Sequence, residues 1–214
     1  DRSRAYDYSA IPDGDSMTIT LTDEQQRAAD QVSEWLESRG RRAPNKSGRS
    51  NKYITLGGLA GVGKTTLISH LIERHEAAVC AFTGKAAFVL RSKGVDASTM
   101  HRLMYKPVER AGGEVEFVKV KRLGTRFVIV DESSMVNRDL MSDLLSFDVM
   151  VLFVGDHGQL EPVGDDPGLM KSPDIKLETN HRQAAGSPII VASHAFRESK
   201  RPADMQQTTG RLVV

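Results

Sequence analysis

Cysteine is nearly absent from this 214-residue chain, which contains Cys80 alone. One thiol cannot build a disulfide framework or a cysteine-rich zinc site. No hydrophobic run approaches the roughly 20 residues that a membrane-spanning helix requires, and the polar start lacks a signal-peptide pattern. The net charge of +1 argues against a wholly basic nucleic-acid coat protein and against an acidic disordered chain. We therefore expect a cytosolic (cytoplasmic) globular protein without membrane contact.

The small net charge conceals two opposite blocks. Residues 85–126 carry ten basic and four acidic side chains, a net charge of +6, whereas residues 127–180 carry three and eleven, a net charge of −8. This pattern fits a polyanion-facing surface beside a region that handles metal or phosphate, and it also fits a mixed solvated surface. The chain begins with Asp1 rather than Met, which indicates a processed or cut piece of a longer protein.

Apolar periodicity predicts alternating helices and strands, and hence an α/β fold with a mainly parallel sheet flanked by helices. The two β-branched runs that contain Val128 and Val151 are typical of strands buried on both faces. We predict helices over residues 22–40, 65–75, 85–93, 99–104, 137–145 and 187–196, with Ser98 as the cap of the fourth, and strands over residues 53–56, 78–82, 127–130 and 149–154.

Residues 105–126 interrupt this alternation. Gly112 and Gly113 lie between short apolar runs, which predicts a small β-hairpin inserted into the α/β core. Its basic side chains are compatible with an ordinary solvated hairpin and with contact to a polyanion.

A glycine-rich segment that we call the phosphate loop, residues 58–65, fits the pattern G-x-x-x-x-G-K-[ST] in full. It follows a predicted strand and opens a predicted helix, which is the context the pattern requires. Glycines let backbone N–H groups surround a phosphate, and the helix N-terminus adds partial positive charge. Lys64 would reach the β- and γ-phosphates, and the Thr65 hydroxyl would bind Mg²⁺.

Two carboxylates end the predicted strand 127–130. Asp131 would hold Mg²⁺, and Glu132 would act as the general base that polarises the attacking water. Gln159 follows the next strand, where it could sense the γ-phosphate, and Arg182 could bring a guanidinium to the transferring phosphate. From the residues alone, structural roles for Gln159 and Arg182 stay open, and we favour surface roles for His101 and His181.

Seven short motifs occur in an order that resembles the first RecA-like motor domain of superfamily-one DNA helicases, nearest the RecD-like and Dda-like branch. They cover residues 21 to about 200 and comprise Leu21-Thr22-x-x-Gln25, residues 58–66, Phe82-Thr83-Gly84-Lys85-Ala86-Ala87, Ser98-Thr99-Met100-His101, Val130-Asp131-Glu132-Ser133-Ser134-Met135, Gly155-Asp156-x-x-Gln159-Leu160-x-Pro162-Val163 and Asn180-His181-Arg182-Gln183. One departure is Ala81-Phe82, where the family has Ala-Pro; Phe82 could stack on a base or be a buried strand residue.

The resemblance implies ATP and Mg²⁺ as cofactors and assigns a role to each motif. Gln25 would read the adenine edge, Gln159 would couple the γ-phosphate to the DNA path, and Arg182 would touch the γ-phosphate. The implied ATP-binding residues are Gln25, Gly58, Ala60, Gly61, Val62, Gly63, Lys64, Thr65 and Thr66. The implied residues that contact single-stranded DNA are Thr83, Gly84, Lys85, Ser98, Thr99 and His101.

The resemblance also implies a domain plan. Residues 1–20 would be a flexible lead-in, residues 21–104 and 127–200 the ATP-binding domain, residues 105–126 a basic subdomain that helps to split the duplex, and residues 201–214 a tail or linker to a second motor domain. Because relatives hydrolyse ATP between two such domains, this piece alone should bind nucleotide weakly and hydrolyse it poorly.

The leading hypothesis is therefore the N-terminal half of an ATP-dependent DNA helicase motor that moves 5′→3′ on single-stranded or forked DNA. Its implied setting is DNA replication, recombination or repair, with proteins of replication or recombination as partners. Two alternatives stay open: a DNA-stimulated ATPase or switch that does not unwind, and a catalytically degenerate DNA-binding module.

Overall fold

A computed structural model describes residues 20–38, 51–110, 112–158 and 165–179. Within these ranges the chain forms five α-helices and eight β-strands. The helices are α1 (Asp23–Glu37), α2 (Lys64–Arg74), α3 (Gly84–Arg91), α4 (Met100–Met104) and α5 (Arg138–Leu145). The strands are β1 (Tyr53–Gly58), β2 (Ala77–Ala81), β3 (Ala97–Thr99), β4 (Tyr105–Glu109), β5 (Val115–Lys119), β6 (Phe127–Asp131), β7 (Met150–Gly155) and β8 (Ile175–Leu177).

Six strands form one sheet in the order β3-β2-β6-β7-β1-β8, and every pairing in it is parallel. This confirms the predicted α/β fold with a mainly parallel sheet. The predicted helices and strands within the described residues occur with small shifts at their ends. Strands β3 and β8 were missed because three residues are too short for a periodic pattern.

The central strands are buried on both faces, so the core lies in two layers. On one face, Trp35 of α1 packs edge-on against Phe127 with ring centroids 6.4 Å apart, next to Ile129. On the other face, Val128 and the helices α4 and α5 enclose a second apolar cluster that includes Phe153. Each such buried side chain stabilises the fold by about 1.5–3 kcal/mol.

Side-chain caps define where the helices begin. Thr22 and Gln25 form a reciprocal capping box at the start of α1, and Asn137 accepts from the backbone N–H of Leu140 at the start of α5. The predicted Ser98 cap is wrong: the cap of α4 is Thr99, whose Oγ1 accepts from the N–H of Arg102 at 3.2 Å. Ser98 lies one residue too early, within β3.

Strands β4 and β5 pair antiparallel and form the predicted hairpin outside the main sheet. Both turn glycines have positive φ, 115° at Gly112 and 82° at Gly113, which favours glycine at these positions. At its base the Tyr105 hydroxyl donates to Asp143 of α5, and Lys119 Nζ lies 2.9 Å from the same carboxylate. These contacts fasten the hairpin to the core.

Several predictions fall outside the described residues. They are residues 1–19 of the predicted lead-in, the helix over residues 187–196, the tail over residues 201–214, the surface role of His181 and the site residues Gln159 and Arg182. Among the helices that the structure describes, none is both long and apolar enough to span a membrane.

Candidate nucleotide and nucleic-acid site

The carboxyl ends of the parallel strands converge on one edge of the sheet, where ligands bind in open α/β folds. The phosphate loop follows β1. Asp131 ends β6 and Glu132 comes directly after it, while Asp156 follows β7, which lies between β6 and β1. The sheet order thus brings together residues that are far apart in sequence.

The backbone of the phosphate loop has a conformation suited to binding an anion. Gly61 and Gly63 have positive φ, 93° and 83°, and Gly63 precedes α2 without a side-chain cap. The first N–H groups of α2 are therefore directed at the loop, together with the positive end of the helix dipole. Gly58 is required for another reason, because a Cβ there would lie 2.6 Å from Val62 Cγ2.

The Lys64 ammonium spans this loop. Its Nζ donates to the carbonyl oxygens of Gly58 at 2.6 Å and of Leu59 at 3.0 Å. These bonds hold the cation at the start of the loop, and Lys64 lines the cavity beside it.

A cavity of about 630 Å³ opens beside the loop, a size suited to a nucleotide-sized ligand. The predicted Lys64, Thr65, Asp131 and Glu132 all line it. Its full lining is Ala60, Gly61, Gly63, Lys64, Thr65, Thr66, Ser69, Val89, Leu90, Lys93, Asp131, Glu132 and Asp156.

Two properties set the carboxylate pair apart. Burial raises the pKa of Asp131, and the neighbouring charge of Glu132 adds to this. A hydrogen bond from the backbone N–H of Glu132 lowers the pKa of Asp131, as do the positive charges of Lys64 and Lys93. Glu132 has a φ of 54° and is the one non-glycine residue with positive φ in the described part of the chain. Such strained backbone concentrates at functional sites.

Lys93 and Asp156 also line the cavity, although the sequence patterns predicted a role for neither. Lys93 follows α3 in a turn that Gly94 completes with a φ of 84°, and its Nζ lies 3.3 Å from Thr65 Oγ1. Asp156 is buried and accepts from the N–H of Gly158. Asp156 belongs to one of the seven motifs, but only the fold reveals that Lys93 reaches the phosphate loop.

The lining is compatible with Mg²⁺. A hydroxyl from Thr65 and a half-buried carboxylate from Asp131 face one cavity, and a divalent cation would offset the cost of partly desolvating that carboxylate. Within the described ranges no group of three or more His, Cys, Asp or Glu side chains could hold a metal by itself. Mg²⁺ commonly binds through one or two side chains together with substrate phosphates.

Gln25 is placed differently from the other predicted nucleotide contacts. Its side chain is 4% exposed and its amide bonds to the backbone of Thr22 and Val62. It contacts the phosphate loop at Val62 and does not belong to the lining of the 630 Å³ cavity.

The first predicted DNA motif adjoins the carboxylate pair. Thr83 caps α3 by accepting from the N–H of Ala86 at 3.1 Å, and Gly84 and Lys85 are exposed at the start of that helix. Phe82, which directly follows β2, is half-buried. A second cavity of about 220 Å³ is lined by Thr83, Lys85, Ala86, Val89, Asp131, Glu132 and Met135.

The second predicted DNA motif ends β3, next to β2 on the same sheet edge. Thr99 is engaged as the α4 cap, while Ser98 donates to the carbonyl of Thr99 at 3.3 Å. His101 is exposed and stacks on Tyr105 at the base of the hairpin, with ring centroids 5.9 Å apart.

Comparison with known proteins gives consistent matches. The sequence model of a family described as the AAA domain matches residues 20–214. The ATP-dependent RecD2 DNA helicase of Deinococcus radiodurans is 37% identical over 169 residues, which cover 72% of this chain and 23% of that protein. The RecD subunit of the RecBCD enzyme of Buchnera aphidicola subsp. Schizaphis graminum is 28% identical over 143 residues, covering 53% and 23%. The chain spans about a quarter of the length of these curated relatives.

Solved structures show the same fold. A Bacteroides Pif1 bound to single-stranded DNA superimposes with a TM-score of 0.58 at 21% identity, covering 88% of this chain and 48% of that chain. Pif1 helicase from Candida albicans gives a TM-score of 0.60 at 22% identity, covering 88% and 46%. These likenesses confirm the predicted RecA-like architecture.

Proposed function

Because the chain belongs to the AAA domain family, we propose that it is the ATP-binding motor domain of an ATP-dependent DNA helicase of the superfamily-one RecD-like branch. The observation that carries this proposal is the shared cavity. It combines the phosphate loop that follows β1 with two carboxylates at the end of β6, a parallel strand of the same sheet. Few arrangements besides nucleotide hydrolysis require all of these groups in one place.

Within this cavity each side chain has a chemical task. The loop amides and Lys64 bind the phosphates, and Thr65 and Asp131 would hold Mg²⁺. Bound Mg²⁺ would neutralise charge on the phosphate oxygens. Glu132, beside Asp131, accepts the proton of the attacking water. The resemblance adds Gln159 as the γ-phosphate sensor and Arg182 as a γ-phosphate contact.

The two adjoining cavities suggest how nucleotide and DNA are coupled. Asp131, Glu132 and Val89 line both of them, while Thr83 and Lys85 face only the smaller one. DNA bound at the start of α3 would therefore contact one end of this helix, and Lys93, just after its other end, contacts Thr65 of the phosphate loop. We propose single-stranded or forked DNA as the partner, translocation in the 5′→3′ direction, and a duplex-splitting role for the hairpin.

The proposal is tested with Lys64→Ala and Glu132→Gln. We expect Glu132→Gln to lower DNA-stimulated phosphate release by about 10²–10⁴-fold, because the amide keeps the shape and loses the base. Lys64→Ala removes a phosphate contact and should cost about 10²–10³-fold. A fluorescent ATP analogue should still bind to Glu132→Gln.

Glu73→Gln is the matched control, because this exposed glutamate lies on α2 away from the cavity. Turnover that survives either site substitution would contradict the assignment. Strand displacement from a forked duplex by the complete protein that carries this sequence separates a helicase from an ATPase switch. Hydrolysis without displacement would favour the switch.

A further inference from the structure

Lys93 is a second lysine at the nucleotide cavity, and it lies outside all seven sequence motifs. It follows α3, 28 residues beyond Thr65 in the chain, and its Nζ lies 3.3 Å from Thr65 Oγ1. Both residues line the 630 Å³ cavity together with Lys64 and Asp131. The fold therefore brings a further ammonium to the start of α2, beside the hydroxyl that we assign to Mg²⁺.

The turn that carries Lys93 has a well-defined backbone. The N–H groups of Lys93 and Val95 both donate to the carbonyl of Leu90, at 3.0 and 3.1 Å, and Gly94 between them has a φ of 84°. Leu90 and Val95 are buried in the core, so the turn is anchored on both sides of Lys93. The exposed Lys93 side chain thus extends toward the cavity from a fixed point.

The charge of Lys93 acts inside the cavity. Burial raises the pKa of Asp131, and the positive charges of Lys64 and Lys93 oppose that rise, so both ammonium groups interact with this carboxylate. Lys64 donates to two carbonyls of the phosphate loop. The Thr65 hydroxyl is neutral, and its contact with Lys93 therefore does not compensate the positive charge.

We propose that Lys93 is a further phosphate-binding residue, whose ammonium contacts the phosphate oxygens of a bound nucleotide alongside Lys64. A charged phosphate oxygen is a stronger acceptor than a hydroxyl, and a lysine on its flexible stem can exchange one for the other. Because each phosphate adds negative charge, the contribution of Lys93 should grow from mono- to triphosphate. This inference rests on the proposed function, since it assumes that the cavity binds a nucleotide.

Two substitutions isolate the charge. Lys93→Met removes the ammonium and keeps an unbranched side chain, whereas Lys93→Arg retains a cation. The matched control is Arg74→Met, which removes the same charge from an exposed position at the other end of α2. Arg74 lies about 14 Å from Thr65 along a helix that rises 1.5 Å per residue. All three substitutions are at exposed positions, and we expect the variants to fold.

Binding is measured with the complete protein that carries this sequence, using ATP, ADP and AMP, each with Mg²⁺ and with EDTA. We expect Lys93→Met to weaken MgATP binding by roughly three- to tenfold and AMP binding by less than about twofold. The loss for ATP should be larger in EDTA, where Mg²⁺ no longer shares the neutralisation of the phosphates. Lys93→Arg should retain most of the affinity, and Arg74→Met should match the unsubstituted protein.

The outcomes separate this inference from the function on which it rests. Equal ATP affinities in Lys93→Met and Arg74→Met would overturn it, as would equal losses for ATP and AMP, because the contact would then not involve the outer phosphates. A loss of single-stranded DNA affinity in Lys93→Met at unchanged ATP affinity would also overturn it and assign the charge to DNA. If the unsubstituted protein binds none of the three nucleotides, it is the proposed function that fails.

Discussion

Glu132 shows how a single residue can store strain at a reactive position. It lies at the end of β6 with φ 54° and ψ 36°, a left-handed conformation that costs a residue with a Cβ about 1–2 kcal/mol. The conformation follows from the sharp turn between β6 and the 3₁₀ turn Ser133–Met135. The strain is tolerated because Ser133 is buried and its hydroxyl donates to the Val154 carbonyl, which holds the turn in place.

This geometry leads to a stability prediction. Glu132→Gly should be more stable than Glu132→Ala by about 0.5–1 kcal/mol, because glycine avoids the left-handed penalty and loses only part of that gain to its greater unfolded-state entropy. Urea unfolding of the nucleotide-free chain measures the difference. At Gln31, an exposed position in the interior of α1, the order should reverse, with alanine the more stable. The same order at both positions would contradict the strain.

At the scale of elements, sequence patterns predicted the helices and strands that have a clear apolar period. They missed very short strands and contacts between residues that are far apart in the chain. The apolar stripe of α1 and the buried β-branched runs of β6 and β7 each extend over enough residues to define a period. Strands β3 and β8 have three residues each and owe their conformation to neighbours in the sheet. Site residues could be predicted where they belong to a recognisable sequence motif, as Lys64 and Asp131 do.

Other features of the site depend on long-range packing. Lys93 belongs to no motif, and it lies near Thr65 only because the fold brings the turn after α3 close to the start of α2. The amide of Gln25 could not be assigned to Val62, 37 residues away, without the fold. Three-dimensional contacts of this kind have no local signature in the chain.

The α4 cap provides an element-scale prediction. Thr99→Ala should lower the free energy of unfolding by about 1 kcal/mol, because the N–H of Arg102 loses its acceptor. Thr99→Ser should retain most of this stability. Ser98→Ala, one residue earlier, removes only a long bond to the Thr99 carbonyl and serves as the control. A larger loss for Ser98→Ala than for Thr99→Ala would restore the cap predicted from sequence.

At the scale of the whole molecule, the net charge of +1 results from a basic and an acidic block whose charges largely cancel. The basic block contains α3, β3, α4 and the hairpin, whereas the acidic block supplies Asp131 and Asp156 to the cavity. The blocks also meet at the hairpin base, where Lys119 pairs with Asp143. The hydrogen bond from Tyr105 is the larger cause that lowers the pKa of Asp143, and the contact with Lys119 lowers it further.

The basic side chains of the hairpin and its flank differ in whether they already form an ion pair with a carboxylate. Arg110 pairs with Glu116 across the hairpin, with 2.5 Å between Nη2 and Oε2. Lys121 and Arg122 follow β5 and are exposed. If the hairpin and its flank contact phosphates, the exposed pair should contribute to DNA binding and Arg110 should contribute little, because its charge is already compensated.

The salt dependence of single-stranded DNA binding tests this division. In Lys121→Ala/Arg122→Ala the slope of log K against log salt concentration should become shallower by about 0.7 for each phosphate that the protein no longer neutralises. Arg110→Gln, at a paired cation of the same hairpin, should leave the slope nearly unchanged. Fluorescence anisotropy of a labelled oligonucleotide over a range of salt concentrations measures both. Equal slopes in the two variants would exclude the exposed pair from the DNA surface, because a protein that neutralises fewer phosphates must release fewer counterions on binding.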